Sequence, residues 1–294
     1  MGRDGILLMN VGTPDEPTVK SVKTYLREFL LDPDVIDIPA PLRHLLVRGI
    51  ILRTRPKKIA PRYKSIWMKD GSPLRVYTQR ICDKLQLKME DTSCEVGMRY
   101  GNPSIRSALE RLREQGVTRL LLAPLFPHYA QATTESSTKH AFKQLTAMDW
   151  TPDVSELGHF ETEKEFVEPL AESIRPYLNE DTHLLFSYHG LPISHVKRID
   201  KSKKHCQKVA DCCSVKCDAN SICYGRHCSE TTAAVVEKLG LSDDQWSMSF
   251  QSRLGPVKWL EPATTSKVEE LVKRGIDKIV VVAPAFVADG LETL

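Results

Sequence analysis

The chain has 294 residues, of which 41% are hydrophobic and 27% are charged. This composition is typical of a globular protein that can bury a sizeable core without disulfides. The net charge of +3 is too small to indicate nucleic-acid binding, and we expect no nucleic-acid partner. The first ten residues, MGRDGILLMN, lack the pattern of a secretory signal, so we expect a cytoplasmic chain in a reducing compartment.

Short apolar runs alternate with amphipathic stretches along the chain. The runs predict strands at 6–10, 95–99, 119–124, 183–188, 246–251 and 278–284. The amphipathic stretches predict helices at 18–30, 74–88, 105–114, 137–147, 163–177, 229–239 and 264–274. This alternation predicts an α/β fold with parallel sheets and crossover helices. The strands fall into two sets, so we expect an N-terminal lobe over 1–130 and a C-terminal lobe over 131–294.

Chemistry-bearing side chains follow the predicted strands, where open α/β sheets bind their ligands. They are Asn10, Arg99, Tyr100, Phe126, His189, Arg253, Asp289 and Glu292. Taken alone, His189 could be a hydrogen-bonded structural residue, Glu292 could cap a helix, and Arg99 could form a surface salt bridge. Together, the aromatic, basic and acidic groups suit a flat, apolar, anionic ligand and proton or metal chemistry.

A basic amphipathic segment covers residues 39–62, where Leu, Val and Ile alternate with Arg, His and Lys. Such a segment can lie on an anionic membrane surface or grip an anionic ligand. The alternative interpretation is a solvated helix whose apolar stripe packs inward.

Six of the eight cysteines lie in CQKVADCCSVKCDANSICYGRHC, residues 206–228. A reducing compartment disfavours disulfides, so clustered thiols indicate a metal site. The stretch has no C-x2-C pair, which disfavours a zinc ribbon, and four thiolates suffice for a [2Fe–2S] cluster. We interpret the remaining two, Cys82 and Cys94, as ordinary half-buried thiols.

Seven stretches, in order along nearly the whole chain, resemble ferrochelatase. They are LLMNVGTP (7–14), YKSIWMKDGSPL (63–74), MRYGNPS (98–104), PLFPHYAQATTESS (124–137), SYHGLP (187–192), FQSRLGPVKWLEP (250–262) and APAFVADGLETL (283–294). The resemblance implies two doubly wound, Rossmann-like lobes with a porphyrin cleft between them. It also implies a lyase that inserts Fe²⁺, its substrate, into protoporphyrin IX to form protohaem in the last step of haem biosynthesis.

Site residues follow from the same motifs. His189 would be the catalytic histidine, which receives iron or a pyrrole proton, and Glu292 would lie opposite in a carboxylate path, with Asp289 nearby. The implied porphyrin-binding residues are Asn10, Val11, Arg53, Arg55, Tyr63, Ser72, Arg99, Tyr100, Phe126 and Trp259. The basic segment 39–62 would form a lip that binds propionates and meets the inner membrane peripherally.

The cysteine-rich stretch resembles an insert, residues 202–223, of about twenty residues that ordinary bacterial relatives lack. Some family members carry a [2Fe–2S] cluster in such an insert, so the resemblance favours this cofactor over zinc and over free thiols or a disulfide. The candidate ligands are four of Cys206, Cys212, Cys213, Cys217, Cys223 and Cys228. Adjacent side chains point differently, so we expect only one of Cys212 and Cys213 to bind easily.

Two further hypotheses stay open on the sequence. One is a chelatase for coproporphyrin III or another tetrapyrrole, although the coproporphyrin branch usually has Tyr where this chain has Val11. The other is a non-catalytic haem- or iron–sulfur-binding protein. Family members also continue beyond the GLETL motif, which implies a further C-terminal segment.

Overall fold

The computed structural model describes residues 2–253 and 255–294. Leu254, in the FQSRLGPVKWLEP motif, lies outside the described residues. The chain divides into two compact units. The first comprises the chain up to Phe126, residues 131–158 and residues 288–294, and the second comprises residues 127–130 and 159–287.

The first unit contains a four-stranded parallel sheet in the order β2-β1-β3-β4. Its strands are β1 (Arg3–Thr13), β2 (Thr92–Gly101), β3 (Val117–Pro124) and β4 (Asp153–Glu156). Strand β1 lies between β2 and β3, so that Leu8 is opposite Val96 and Ala123. A central strand is buried on both faces, which explains why its sequence, ILLM, is apolar without alternation.

Helices cover both faces of this sheet. They are α1 (Val19–Leu30), α2 (Ala40–His44), α3 (Leu52–Ile66), α4 (Pro73–Lys88), α5 (Ile105–Glu114) and α6 (Ser136–Ala147), with π-helical segments at Leu45–Ile51 and Gln131–Glu135. Leu7 packs with Leu109 of α5 on one face, and Leu8 packs with Cys82 of α4 on the other. The period-two alternation of the strand thus gives each helix layer its own half of the core.

Gly12 allows the ends of β1 and β2 to approach closely. It has φ +104°, and a Cβ atom there would lie 1.8 Å from the carbonyl oxygen of Tyr100. Only glycine satisfies both conditions, so this residue fixes how closely the strand ends that carry site residues can pack.

The second unit contains a three-stranded parallel sheet in the order β6-β5-β7. Its strands are β5 (His183–His189), β6 (Trp246–Gln251) and β7 (Ile279–Val282). Its helices are α7 (Lys164–Ile174), α8 (Ile193–Ile199), α9 (Tyr224–Leu239) and α10 (Thr264–Lys273), with 3₁₀ turns at Arg175–Tyr177 and Asp218–Asn220.

Strand β5 is the centre of the second core. Phe186 and Tyr188 are fully buried in a cluster that includes Ala171 of α7 and Val235 of α9. Ser187, which points to the other face, is hydrogen-bonded at 2.8 Å to Thr264 at the start of α10. The two faces of this strand therefore pack against different helices.

The predicted α/β class with parallel sheets is confirmed. The division into units differs from the predicted boundary at residue 130, because β4 pairs with β3 and α6 packs against the first sheet. Residues 288–294 also belong to the first unit. Strand β4 and helix α8 were not predicted, and α9 begins five residues before the predicted position, 229. Among the described residues, no helix is long and apolar enough to cross a membrane.

His128 gives the second unit a pH-dependent stability. Its ring is buried, and Nε2 lies 2.8 Å from Thr231 Oγ1. Because Thr231 donates its own proton to the carbonyl oxygen of Glu161, His128 Nε2 carries the hydrogen and the ring is neutral. Burial, and then the nearby His227, lower the pKa of His128 to about 3.

We therefore expect acid to destabilise the fold through His128. The unfolded chain binds this proton below about pH 6.5, whereas the folded chain resists it down to about pH 3. The contribution of His128 to the free energy of unfolding is therefore fully present above about pH 6.5. Below that pH it falls by up to about 1.4 kcal/mol per pH unit. In urea unfolding between pH 7 and 4.5, the free energy of unfolding of His128→Gln should fall less steeply with decreasing pH than that of wild type. The exposed His44→Gln variant should match wild type, and an unchanged slope in His128→Gln would contradict the assignment.

Candidate active site

His189 is the last residue of β5 and is half-buried. Its Nδ1 atom lies 2.7 Å from the carbonyl oxygen of Gly190, which can only accept a hydrogen bond. In the neutral ring the hydrogen is therefore on Nδ1, and Nε2 presents a lone pair. This tautomer suits a group that takes a proton or binds a metal ion.

The turn after His189 is fixed by the segment that follows β6. Gly190 N–H donates to Gln251 O at 2.7 Å, and Leu260 N–H donates to Leu191 O at 2.9 Å. A Cβ atom on Gly190 would lie 2.8 Å from Gln251 O and 3.2 Å from the ring of Trp259. The close approach requires glycine, and it places the predicted residue Trp259 beside the histidine turn.

Tyr224 ties the histidine to helix α9. It is the first residue of α9 and is buried, and its hydroxyl donates to the carbonyl oxygen of His189 at 2.8 Å. Cys223 immediately precedes it as the N-cap residue. One helix start therefore connects the cysteine-rich segment with the backbone of His189.

We expect Tyr224→Phe to lower the kcat of a reaction that uses His189 by roughly 2- to 12-fold, because a net hydrogen bond of about 0.5–1.5 kcal/mol that holds His189 is lost. The matched control is Tyr188→Phe, which removes a buried hydroxyl bonded at 2.8 Å to Thr232 instead. Steady-state kinetics together with thermal melts separate the two. Equal effects of both variants on kcat would show that Tyr224 acts only through stability.

Glu292 belongs to the first unit and is exposed. Burial, and then the charge of Glu292, raise the pKa of Tyr63. The pKa of Tyr25 is raised by burial first, then by Tyr63 and then by Glu292. The carboxylate therefore lies near two buried phenols, although it is far from them in sequence. Asp289, predicted to be nearby, is also exposed.

Hydroxyl and amide groups of β1 connect to the start of α4. Thr13 Oγ1 donates to Ser72 Oγ at 2.7 Å, and the Tyr63 hydroxyl is hydrogen-bonded to Thr13. Asn10 Nδ2 donates to Thr78 Oγ1 at 3.1 Å. Three of the predicted porphyrin-binding residues thus lie in one bonded region of the first unit.

Arg99 and Tyr100 at the end of β2 are both bonded to Asp32. The Asp32 carboxylate is buried, pairs with Arg99, and accepts from the Tyr100 hydroxyl at 2.8 Å and from Ser136 Oγ at 2.9 Å. Arg99 Nε also donates to Ser136 Oγ at 2.8 Å. The guanidinium thus has strong protein partners, and its predicted contact with a porphyrin stays a prediction.

The other predicted residues differ in exposure. Arg53 is exposed on α3, and Arg55 is half-buried, with a pKa lowered first by burial and then by Arg62. Val11 is half-buried and Phe126 is buried, both at strand ends of the first unit. Because burial disfavours the charged form of Arg55, a bound anion would stabilise this cation.

Four sulfur atoms of the cysteine-rich segment form a connected group. The Cys223 thiol is hydrogen-bonded to both Cys213 and Cys206, and the sulfurs of Cys212 and Cys213 lie 4.0 Å apart. Bonding by Cys213, and the N–H groups at the start of α9, lower the pKa of Cys223 to about 6 against the opposing effect of burial. A thiolate is the metal-binding form of cysteine. Both Cys212 and Cys213 belong to this group, where the sequence had suggested only one.

The remaining two cysteines of the stretch lie apart from this group. Cys217 Sγ lies 3.6 Å from His205 Nε2. Cys228 is fully buried beside Tyr224, and burial raises the pKa of its thiol well above the usual value. Neither thiol is therefore a member of the connected group of four sulfurs.

Two buried polar residues shape the loop that carries the sulfurs. Asp200 accepts from the N–H groups of His205 and Cys206 at 2.8 and 3.0 Å. Asn220 is fully buried, donates to Cys212 O at 2.8 Å and accepts from Cys217 N–H at 2.9 Å. These bonds substitute for regular secondary structure and keep the loop in one conformation.

A separate group of potential metal ligands comprises His159, Glu161 and His227. His227 Nδ1 accepts from Tyr129 N–H at 3.2 Å, and its Nε2 lies 3.0 Å from the carbonyl oxygen of Ser221. Both ring nitrogens therefore have protein partners, so this group is a structural hydrogen-bond cluster.

The sequence did not identify Asp32, Tyr224, Asp200 or Asn220. Each acts through a contact with a residue distant in the chain or with an irregular loop, and no local motif marks such a contact. The only signal available was the adjacency of Tyr224 to Cys223.

Each unit is a parallel α/β unit, and in the second unit His189 lies at the carboxyl end of a strand, where α/β enzymes hold reactive groups. The ferrochelatase family model matches residues 3–294. Similar proteins named ferrochelatase occur in Pseudomonas syringae pv. tomato, at 42% identity over 98% of this chain and 85% of the relative, and in Azotobacter vinelandii, at 42% over 98% and 86%. One from Pseudomonas aeruginosa UCBPP-PA14 is 41% identical over 100% of this chain and 86% of the relative. The chain belongs to the ferrochelatase family, and it is therefore a metal-chelating lyase.

Proposed function

We propose that this protein inserts Fe²⁺ into protoporphyrin IX to form protohaem. The observation that carries the proposal is the geometry of His189, whose Nδ1 is bonded to Gly190 O so that Nε2 presents its lone pair. Family membership supplies the reaction class, and this tautomer supplies the group that the reaction needs.

Metal insertion releases two pyrrole N–H protons and strips Fe²⁺ of its water. We infer that His189 Nε2 accepts one of these protons or holds the arriving ion, since a neutral imidazole does either near pH 7. Glu292, which is exposed and lies near the phenols of Tyr63 and Tyr25, would carry the second proton or guide the cation.

The predicted porphyrin-binding residues divide by chemistry. Arg53 and Arg55 would pair with propionates, because a guanidinium binds a carboxylate through two hydrogen bonds. Tyr63 and Ser72 would offer hydroxyls to the same groups. The remaining predicted residues, Asn10, Val11, Arg99, Tyr100, Phe126 and Trp259, would shape the macrocycle pocket, and a close fit there can bend the ring toward the metal-accepting form.

The test is a comparison of purified protein on protoporphyrin IX and coproporphyrin III, with Fe²⁺ added anaerobically. We expect a higher kcat/KM for protoporphyrin IX. A preference for coproporphyrin III would overturn the substrate assignment while leaving the chelatase class intact. Binding of either porphyrin without turnover, by a folded protein, would overturn both.

We further propose that Cys206, Cys212, Cys213 and Cys223 hold a [2Fe–2S] cluster. The support is the connected group of four sulfurs, in which Cys223 is bonded to two others and already favours the thiolate. When bound, the cluster would supply a covalent link among loop segments that are otherwise held only by hydrogen bonds. Asp200 and Asn220 would position the ligand backbone.

Zinc is the alternative group that four thiolates could hold. The spacing of the cysteines along the chain has no C-x2-C pair, which disfavours a zinc ribbon and favours the [2Fe–2S] cluster.

We expect Cys213→Ser to lose the cluster and Cys217→Ser to keep it. Cys213 is bonded to Cys223, whereas Cys217 faces His205. Anaerobically purified wild type and Cys217→Ser should contain about two iron atoms per chain, show the visible spectrum of a [2Fe–2S] centre and, after reduction with dithionite, its EPR spectrum, and Cys213→Ser should be colourless. A cluster lost in Cys217→Ser but kept in Cys213→Ser would refute the ligand assignment, and stoichiometric zinc in wild type would refute the cluster.

We also propose that this protein is cytoplasmic and contacts the inner membrane peripherally through the segment 39–62. Its helices leave Leu42, Leu45 and Ile50 exposed by 57, 68 and 62%, next to the exposed Arg48 and Arg53. Apolar side chains flanked by cations are typical of helices that lie in an anionic membrane surface. Co-sedimentation with phosphatidylglycerol vesicles but not with phosphatidylcholine vesicles is the expected result, and recovery in the supernatant with both would contradict it.

A further inference from the structure

The two cysteines outside the cysteine-rich segment lie side by side. Cys82 of α4 and Cys94 of β2 are free thiols, and their sulfur atoms are 2.9 Å apart. This separation is less than 1 Å longer than a disulfide bond of about 2.05 Å. Residues that the sequence suggested were ordinary thiols therefore form a pair.

Gln86 holds the two elements in register. Its side-chain amide donates to Thr92 O at 2.8 Å and its oxygen accepts from Cys94 N–H at 3.0 Å. Gln86 lies one turn beyond Cys82 on the same helix. The two hydrogen bonds of Gln86 thus connect α4 to β2 where the thiols meet, and little backbone movement is needed to join the two sulfur atoms.

The two thiols differ in access and in reactivity. Cys82 is buried and Cys94 is partly exposed, so a small oxidant reaches Cys94 first. Cys82 S–H donates to Cys94, and this bond lowers the pKa of Cys94 and raises that of Cys82. The carboxylates of Glu95 and Asp83 oppose ionisation of both, so a neutral oxidant suits the site better than an anionic one.

We propose that Cys82 and Cys94 are a reversible thiol–disulfide site that a peroxide oxidises. The Cys94 thiolate attacks hydrogen peroxide, forming a sulfenic acid and releasing hydroxide. The Cys82 thiol then displaces the sulfenic oxygen as water and forms the S–S bond, so two thiols and one peroxide give one disulfide and two waters. A cytosolic disulfide of this kind is transient, and cellular thiols restore the dithiol.

The oxidised form would join α4 covalently to β2. Helix α4 begins next to Ser72, and β2 contains Arg99 and Tyr100 just before its end at Gly101. The bond would therefore restrain two elements that carry predicted porphyrin-binding residues. The proposal itself does not depend on chelatase activity and is tested without it.

Peptide mapping of the whole protein tests the proposal directly. Trypsin cleaves after Arg80, Lys84, Lys88 and Arg99, so Cys82 and Cys94 fall in separate peptides, 81–84 and 89–99. After brief treatment with hydrogen peroxide, blocking with N-ethylmaleimide and digestion, we expect these peptides linked, with a mass two hydrogens below their sum. Dithiothreitol should separate them, and diamide, a two-electron thiol oxidant independent of iron, should produce the same link.

Single variants provide the controls. In Cys82→Ser, Cys94 should proceed to sulfinic and sulfonic acids, because the resolving thiol is gone. In Cys94→Ser, Cys82 should stay reduced. The proposal is overturned if wild type gives over-oxidised Cys94 with maleimide-labelled Cys82 and no linked peptide. This result needs no variant, so it stands even where a substitution impairs folding.

Discussion

Replacement of His189 by alanine should lower kcat/KM for metal insertion by about 10²- to 10⁴-fold, the usual contribution of a positioned acid or base. The half-buried imidazole has one nitrogen bonded to Gly190 O, so the alanine variant removes the only lone pair that this ring presents. The turn itself is held by backbone bonds from Gln251 and Leu260, so the fold should persist. Zinc insertion followed by the fluorescence of the product is the measurement.

A matched control lies on the same strand. His183 begins β5 and is bonded at 2.7 Å to Ser247, so His183→Gln should retain activity. His189→Gln separates two roles, because an amide can still donate to Gly190 O but cannot take a proton. Porphyrin binding should be unchanged in both His189 variants. Retention of more than a third of wild-type activity by His189→Ala would exclude a role for this ring in the reaction.

Replacement of Asp32 by alanine should destabilise the protein by about 3–5 kcal/mol, because Arg99 would be left as a buried charge without its partner. The Asp32 side chain is only 4% exposed and that of Arg99 is 17% exposed. The Tyr100 and Ser136 hydroxyls would lose the same acceptor. Urea unfolding monitored by fluorescence measures the loss.

Two comparisons show whether burial of the charge is the cause. Glu110→Ala removes an exposed partner of Arg106 in the same unit and should cost no more than about 0.5 kcal/mol. The double variant Asp32→Leu with Arg99→Met removes both charges and should be more stable than Asp32→Ala alone. If Asp32→Ala lost no more stability than Glu110→Ala, the network would have no structural role.

The fold was predictable where burial is complete. Strands β1 and β5 have apolar sequences, ILLM and LLFSY, because both of their faces are covered, and their positions were predicted correctly. Strand β4, with the sequence DVSE, was missed because it is a short edge strand with three exposed residues. Its assignment comes from pairing with β3, which no local pattern reveals.

The position of His189 at a strand end was predictable, because a motif fixes the backbone there. His189 stands before Gly190 and Pro192, and this turn presents it at the strand end as expected. The partners of the site were not predictable, because Asp32 meets Arg99 and Tyr224 meets His189 only through tertiary packing. Cys82 and Cys94 meet in the same way, across a helix and a strand.

The composition of the first unit has a consequence for synthesis on the ribosome. Residues 288–294, which carry Glu292, belong to that unit, yet the intervening stretch 159–287 builds the second one. A chain emerging from its N-terminus can fold the first sheet early. It can add the Glu292 carboxylate only after the second unit has been translated. An incomplete nascent chain would therefore contain the proposed porphyrin-binding residues of β1 and β2 without this carboxylate.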